Sequence, residues 1–240
     1  MHNDPHIARA FDRDLETIQA LTMKMGGLVE VATLDAARAL ETRDVELAAR
    51  VRDNDKAIDA LEAQVNEEAA RLIALRSPTA GDLRTVLTVL KIAGSLERMG
   101  DYAKNIAKRS TVLAETPPVE GAAGTVRRMA KQVEQMLKDA LDAYIRRDAV
   151  LAADVRARDQ EVDQIYNSLF RVLLTHMLED PRKITPCMHL HFIAKNLERM
   201  GDHATNIAEQ VIYLITGALP GEPRPKGESV MPADLGDGED

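Results

Sequence analysis

Sliding the 240-residue chain along itself uncovers an internal repeat. The stretch RDVELAARVRDNDKAID at residues 43–59 returns as RDAVLAADVRARDQEVD at 147–163, an offset of 104 with 9 of 17 positions identical. LERMGDYAKNIA at 96–107 returns as LERMGDHATNIA at 197–208, an offset of 101 with 10 of 12 identical. The first copy therefore carries a connection three residues longer, near the Pro78 and Pro181 turns, where loops absorb insertions cheaply. An offset of about a hundred residues is too long for a solenoid and suits a duplicated small domain.

Each copy divides into three helices. Aromatic residues are 3% of the chain and Trp is absent, while Ala, Leu, Arg and Glu abound, a composition that disfavours sheet and favours helix. Asp4 before Pro5 reads as an N-cap with proline at the first helical position. Ile18, Leu21, Met25, Leu28, Ala32 and Leu40 then recur at helical spacing, so the first helix is expected to run to about Thr42. Asp44 caps a second helix ending near Arg76, before Ser77-Pro78. Thr79 with Asp82 resembles a capping box for a third helix reaching about Ala114. TPPVEG at residues 116–121 reads as the connection between copies. The second copy is expected at 122–147, 148–179 and 181–216, capped by Asp148 and Asp180 and stopped by Gly217.

Rods of about 50 Å joined by short turns pack as antiparallel bundles. The expectation is thus an all-α chain of six long helices in two pseudo-symmetric three-helix bundles. The first repeat occupies residues 1–115, a linker 116–121, the second repeat 122–217, and an acidic tail, expected to be disordered, 218–240. The Gly26-Gly27 pair inside the first helix calls for either close approach of a neighbouring helix or a hinge or partner-binding role.

A net charge of −8 provides no long-range attraction for nucleic acid or an anionic membrane. Apolar runs are far too short to span a bilayer, and the charged start is no signal peptide, so a soluble cytoplasmic protein is expected. The single cysteine, Cys187, cannot form an internal disulfide and reads as a packing residue.

Acidic residues sit four apart in the repeated windows: Asp55 with Asp59, Glu97 with Asp101, Asp159 with Asp163, and Glu198 with Asp202. Each pair shares a helical face, and Asn105 and Asn206 extend the third-helix stripes by a turn. Like charges at this spacing repel by a few tenths of a kcal/mol, yet the pattern occurs four times. If the second and third helices of a repeat are neighbours, the pairs can converge on metal ions, one site per repeat. The other reading is a solvated, salt-bridged surface, with Arg98, Arg199, Lys56 and Lys104 close in sequence to the acids. His191 and Lys195 share the stripe of Glu198, which suggests an open site. Oxygen donors favour magnesium, manganese, calcium or iron over structural zinc. His189, His191, His176 and His203 have no partner histidine at metal spacing. HExxH, Walker and GxSxG motifs are absent, and neither Glu97 nor Glu198 has the histidine three residues on that a ferritin-type diiron oxidase requires. A catalytic role is therefore the weaker class.

Through these residues the chain resembles the PhoU family of phosphate-specific transport regulators. MGGLVE at 25–30, PTAGDLR at 78–84, both LERMGD segments and MLEDPR at 177–182 carry the resemblance, which spans residues 7–216. It implies paired three-helix bundles and, in some members, multinuclear metal clusters at E/D-x-x-x-D motifs. In this chain those motifs fall on Asp55, Asp59, Glu97 and Asp101, and on Asp159, Asp163, Glu198 and Asp202, holding divalent or trivalent ions such as iron, manganese or magnesium. It further implies a homodimeric adaptor that keeps the phosphate-starvation response off when phosphate is plentiful. The adaptor would act between the phosphate transporter's ATPase subunit and a sensor histidine kinase, reaching the membrane only through those partners. A metal-handling bundle or carboxylate-cluster oxidase is the alternative.

Overall fold

The computed structural model describes residues 5–221, with side chains from residue 10 onward. The expected Asp4 cap and the tail beyond residue 221 lie outside the described residues. Among the described residues there are six α-helices and no strand: α1 (Pro5–Thr42), α2 (Val45–Arg76), α3 (Ala80–Leu113), α4 (Ala122–Arg146), α5 (Ala149–Glu179) and α6 (Ile184–Thr216).

The repeated Arg-Asp dipeptide makes the same turn twice. Arg43 and Arg147 adopt left-handed backbone angles, φ 59° and 54°, which end α1 and α4. The following aspartates cap the next helices: Asp44 accepts from the Leu47 N–H, and Asp148 from those of Val150 and Leu151. A left-handed arginine costs roughly 1–2 kcal/mol. At Arg43 the guanidinium offsets this by donating to the Ala114 and Thr116 carbonyls, which ties the linker to the first turn.

Two helix starts differ from the sequence expectation. The Thr79–Asp82 capping box does not form; the Thr79 side chain makes no cap bond, and its carbonyl accepts from the Asp82 N–H at 2.9 Å. Aspartate is one methylene shorter than the glutamate that reaches back in such a box. Asp180 caps a 3-10 turn at Pro181–Lys183, so α6 begins at Ile184 rather than Pro181.

Helices α1, α2 and α3 pack on one another, as do α4, α5 and α6, giving two three-helix bundles. The bundles join side by side through α1 against α4 and α3 against α6, which leaves α2 and α5 on the outer flanks. One core runs through both, from Ile18 and Met25 on α1 through Leu96 and Met99 on α3 to Leu197 and Met200 on α6. Buried threonines inside α1 return their hydroxyls to the preceding turn, Thr22 to the Ile18 carbonyl and Thr33 to that of Val29, so no polar group is stranded there.

Gly26 answers part of the double-glycine question, because a Cβ there would lie 2.4 Å from Leu141 Cδ1 on α4. Leu141 thus packs into the space a side chain at Gly26 would take where α1 meets α4, whereas Gly27 faces open space. Cys187 is buried, and burial pushes its thiol up, as expected of a packing residue. Among the described residues no helix is long and apolar enough to cross a membrane.

Candidate functional site

The two acidic windows meet where α2 lies against α3 and where α5 lies against α6. The closeness depends on the glycine in each LERMGD segment. A Cβ on Gly100 would stand 3.0 Å from Ile58 Cδ1 and 3.5 Å from Asp55 Oδ1, and one on Gly201 would stand 3.1 Å from Asp159 Oδ1. Removing the side chain there lets the flanking helix bring its aspartate against the backbone of the inner helix. These glycines escaped the sequence reading, although their recurrence at one place in both repeats was available as a signal.

In the first repeat Asp55 is only 3% exposed and Asp101 is half-buried. Lys104, one turn beyond Asp101, donates to Asp55 Oδ2 at 2.5 Å and to Asp101 Oδ1 at 3.1 Å. These bonds hold the ammonium's pKa well above its usual value. Asp55 Oδ1 is buried without a hydrogen-bond partner. Burial, together with Asp101 and the α2 carboxylates of Glu62 and Asp59, raises the pKa of Glu97. Asp59, at the exposed edge, is raised by partial desolvation and by Asp55.

The second repeat has the same carboxylates and a different cation. Thr205 stands where the repeat offset would place a lysine equivalent to Lys104, and it is fully buried. Lys195 instead reaches Glu198 from the preceding turn, 2.8 Å to Oε1, while lying 5.4 Å from the centre of the Tyr166 ring. Glu198 is largely buried, its Oε2 lacks a hydrogen-bond partner, and burial raises its pKa against the pull of Lys195. Asp159 is 2% exposed, and Asp163 and Asp202 lie close enough to Glu198 to oppose its ionisation. His191 is half-buried against the rings of Phe170 and Tyr166, so this stripe is less open than its sequence suggested. Asn105 and Asn206 are exposed.

Among the described residues no three His, Cys, Asp or Glu side chains gather as a metal-binding group. The structure thus brings Asp55 and Asp101 together through an ammonium and aligns the other acids along the same two seams. The salt-bridged reading holds for Lys104, whereas Arg98 turns to Glu97, 3.8 Å away, rather than to Asp101. The donor set still fits a hard cation, because every acidic group is an oxygen ligand and the buried Asp55 Oδ1 and Glu198 Oε2, on different repeats, have no hydrogen-bond partner.

The PhoU domain matches the chain twice, at residues 22–110 and 126–211, once on each bundle. The chain belongs to the PhoU family. A phosphate-specific transport system accessory protein PhoU homolog of Zymomonas mobilis is 48% identical over 226 residues, covering 94% of each chain. Its counterpart in Rhizobium meliloti is 46% identical, covering 93% of this chain and 94% of its own. The crystal structure of PhoU from Pseudomonas aeruginosa superposes with a TM-score of 0.84 at 41% identity, over 87% of this chain and all of that one. The phosphate transport system regulatory protein PhoU from Streptococcus pneumoniae gives 0.81 at 31%, over 88% and all respectively. PhoU proteins are regulatory accessory proteins and not enzymes.

Proposed function

We propose that this chain is a cytoplasmic negative regulator of the phosphate-starvation response and a modulator of phosphate uptake. It works as an adaptor between the phosphate ABC transporter's ATPase subunit and a sensor histidine kinase, as a homodimer, and meets the membrane only through those partners. The observation that carries the reading is the match over both bundles to relatives named as accessory and regulatory proteins of phosphate transport. Long helical faces suit an adaptor, since each offers an extended surface to a partner.

In this reading divalent or trivalent ions such as iron, manganese or magnesium sit at two carboxylate sites. Asp55, Asp59, Glu97 and Asp101 would hold one, and Asp159, Asp163, Glu198 and Asp202 the other, with Asn105 and Asn206 as outer ligands. The buried, partnerless oxygens of Asp55 and Glu198 favour that assignment. The ions would neutralise the repelling carboxylates and stiffen each flanking helix against its neighbour. A metal-handling or oxidase role is the second reading, and it rests on the same two oxygens.

The test is a strain lacking this chain, grown in phosphate-rich medium with a phosphate-starvation reporter. The reporter should turn on, and the intact chain should silence it again. A reporter that stays off without the chain would sink the regulatory reading. Restoring silence with all eight acids changed to Asn or Gln would make the metal sites secondary to the adaptor role.

A further inference from the structure

We propose that the seam between α3 and α6 is a docking groove for an extended acidic peptide segment of a partner protein. The inference rests on the adaptor reading above and supplies it with a face and a chemistry.

Cations and rings alternate along this seam. At one end Arg84 and Lys91 lie 5.6 and 5.9 Å from the centre of the Tyr213 ring. At the other end Arg109 lies 4.3 Å from the centre of the Phe192 ring and within 3.4 Å of His189 Nδ1. Between them Tyr102 faces His203. Arg98 follows Lys91 by seven residues and precedes Tyr102 by four, which places it on the same stripe of α3. Arg199 precedes His203 by four and shares its stripe on α6. Lys91, Arg98, Phe192 and Arg199 are exposed, so the line opens to solvent.

Among the described residues Arg84, Lys91, Arg109 and Arg199 make no ion pair with a carboxylate, and Arg98 makes only a long one, 3.8 Å to Glu97. Two lysines that turn outward from the same two helices, Lys104 toward α2 and Lys195 on the stripe of Glu198, are paired with acids. Arg84, Lys91 and Arg109 stand over aromatic rings along one line. Rings beneath the cations hold them in place through cation–π contact without consuming their charge.

The carboxylates on either side of the row select the occupant. Glu97, Asp59 and Asp101 line one outer edge, and Glu198, Asp163 and Asp202 the other. A bilayer surface or a nucleic-acid duplex would lay its negative charge over those carboxylates as well as over the cations. A single extended strand can follow the cation row without overlying those carboxylates. From Arg84 to Arg109 the helix rises about 38 Å, which an extended peptide covers with roughly eleven residues. Phe192 and Tyr102 add ring faces against which interspersed apolar side chains of the peptide can pack.

The test is fluorescence anisotropy of a labelled decapeptide of alternating Asp and Glu, titrated with the full chain at low and at physiological salt. Binding should be salt-sensitive and should weaken about tenfold in the double variant Arg98→Gln/Arg199→Gln. Lys91→Gln alone should weaken it by a smaller factor. The control Arg71→Gln/Arg127→Gln removes the same charge from exposed positions elsewhere and should leave binding unchanged. Every substituted side chain is at the surface, and a melting curve for each variant verifies folding. No binding at low salt, an equal loss in the control, or equal competition by phosphatidylglycerol vesicles or duplex DNA would overturn the groove. The assay contains only this chain and the peptide. Its failure therefore removes the seam and leaves the regulatory reading to the strain test, whose outcome does not depend on it.

Discussion

Tyr102 on α3 and His203 on α6 occupy the same position of the LERMGD repeat, and their rings face each other with centroids 5.8 Å apart at a tilt of 41°. Residues equivalent by duplication can meet only where the pseudo-two-fold axis relating the copies passes. The axis therefore runs between this pair, and it sets the acidic seams on either side of the molecule with the cation row between them. Each feature thus has a counterpart in the other bundle, and departures from symmetry, such as Lys104 against Thr205, identify where the halves have taken different roles.

Lys104 holds the almost fully buried Asp55. Lys104→Met would leave that carboxylate without a cation and should destabilise the protein by about 1–3 kcal/mol in urea unfolding. Adding Asp55→Asn should recover part of the loss, since the uncompensated charge disappears. An unchanged unfolding midpoint in Lys104→Met would show that the ammonium contributes nothing.

The adjacent glycines of α1 should respond in opposite directions. Gly27→Ala meets no atom and gains helix propensity, raising stability by up to about 1 kcal/mol. Gly26→Ala must displace Leu141, which cancels that gain or reverses it. Gly201→Ala should cost about 1–3 kcal/mol, because the added carbon presses on Asp159 and Val162 and lifts α5 from α6. Thermal melts of the three variants decide, and equal melting temperatures for the two α1 variants would contradict the packing account.

Glu30 on α1 is raised above its ordinary value of 4.5 by burial, by Glu134 and by Asp142, with Lys138 opposing. A carboxyl whose folded value is raised disfavours folding when ionised. The penalty is absent below pH 4.5, grows as pH rises through the folded value, and stays in full at neutral pH. Glu30→Gln should therefore raise the melting temperature at pH 7 and leave it unchanged near pH 4. A gain that persists at pH 4 would point to a cause other than charge.

Elemental analysis of the purified chain, beside the variant Asp101→Ala/Asp202→Ala, checks the carboxylate sites. After loading with iron, manganese or magnesium the parent should retain metal and the variant should lose it. Lys104→Met should retain at least as much as the parent, because the competing ammonium is gone. Absence of metal from the parent would leave the acids as an ion-paired surface.

Duplication, helix number and nearly all helix boundaries were legible in the sequence because they depend on local chemistry. Asp44 and Asp148 cap their helices through bonds spanning two or three residues. Ile18 and Met25 reveal their buried face by spacing alone. The two departures at helix starts, the capping box that does not form at Thr79 and the later start of α6 after Asp180, lie where a one-atom difference in reach or a three-residue turn decides the outcome.

The candidate site was legible only as a set of acids. Which of them is buried, and what answers its charge, depends on how α2 and α5 seat against the inner helices, and the glycine contacts at Gly100 and Gly201 set that distance. Lys104 lies three residues from Asp101 in sequence, but its shorter bond goes to Asp55, 49 residues away. The cation row was likewise invisible, because half of each pairing comes from the other copy. Local propensity acts over a turn or two, so the sequence alone determined the rods and their caps. Ion pairs between rods form only when the charged atoms come within about 4 Å, so only the tertiary packing decided which charges are matched and which are left to a partner.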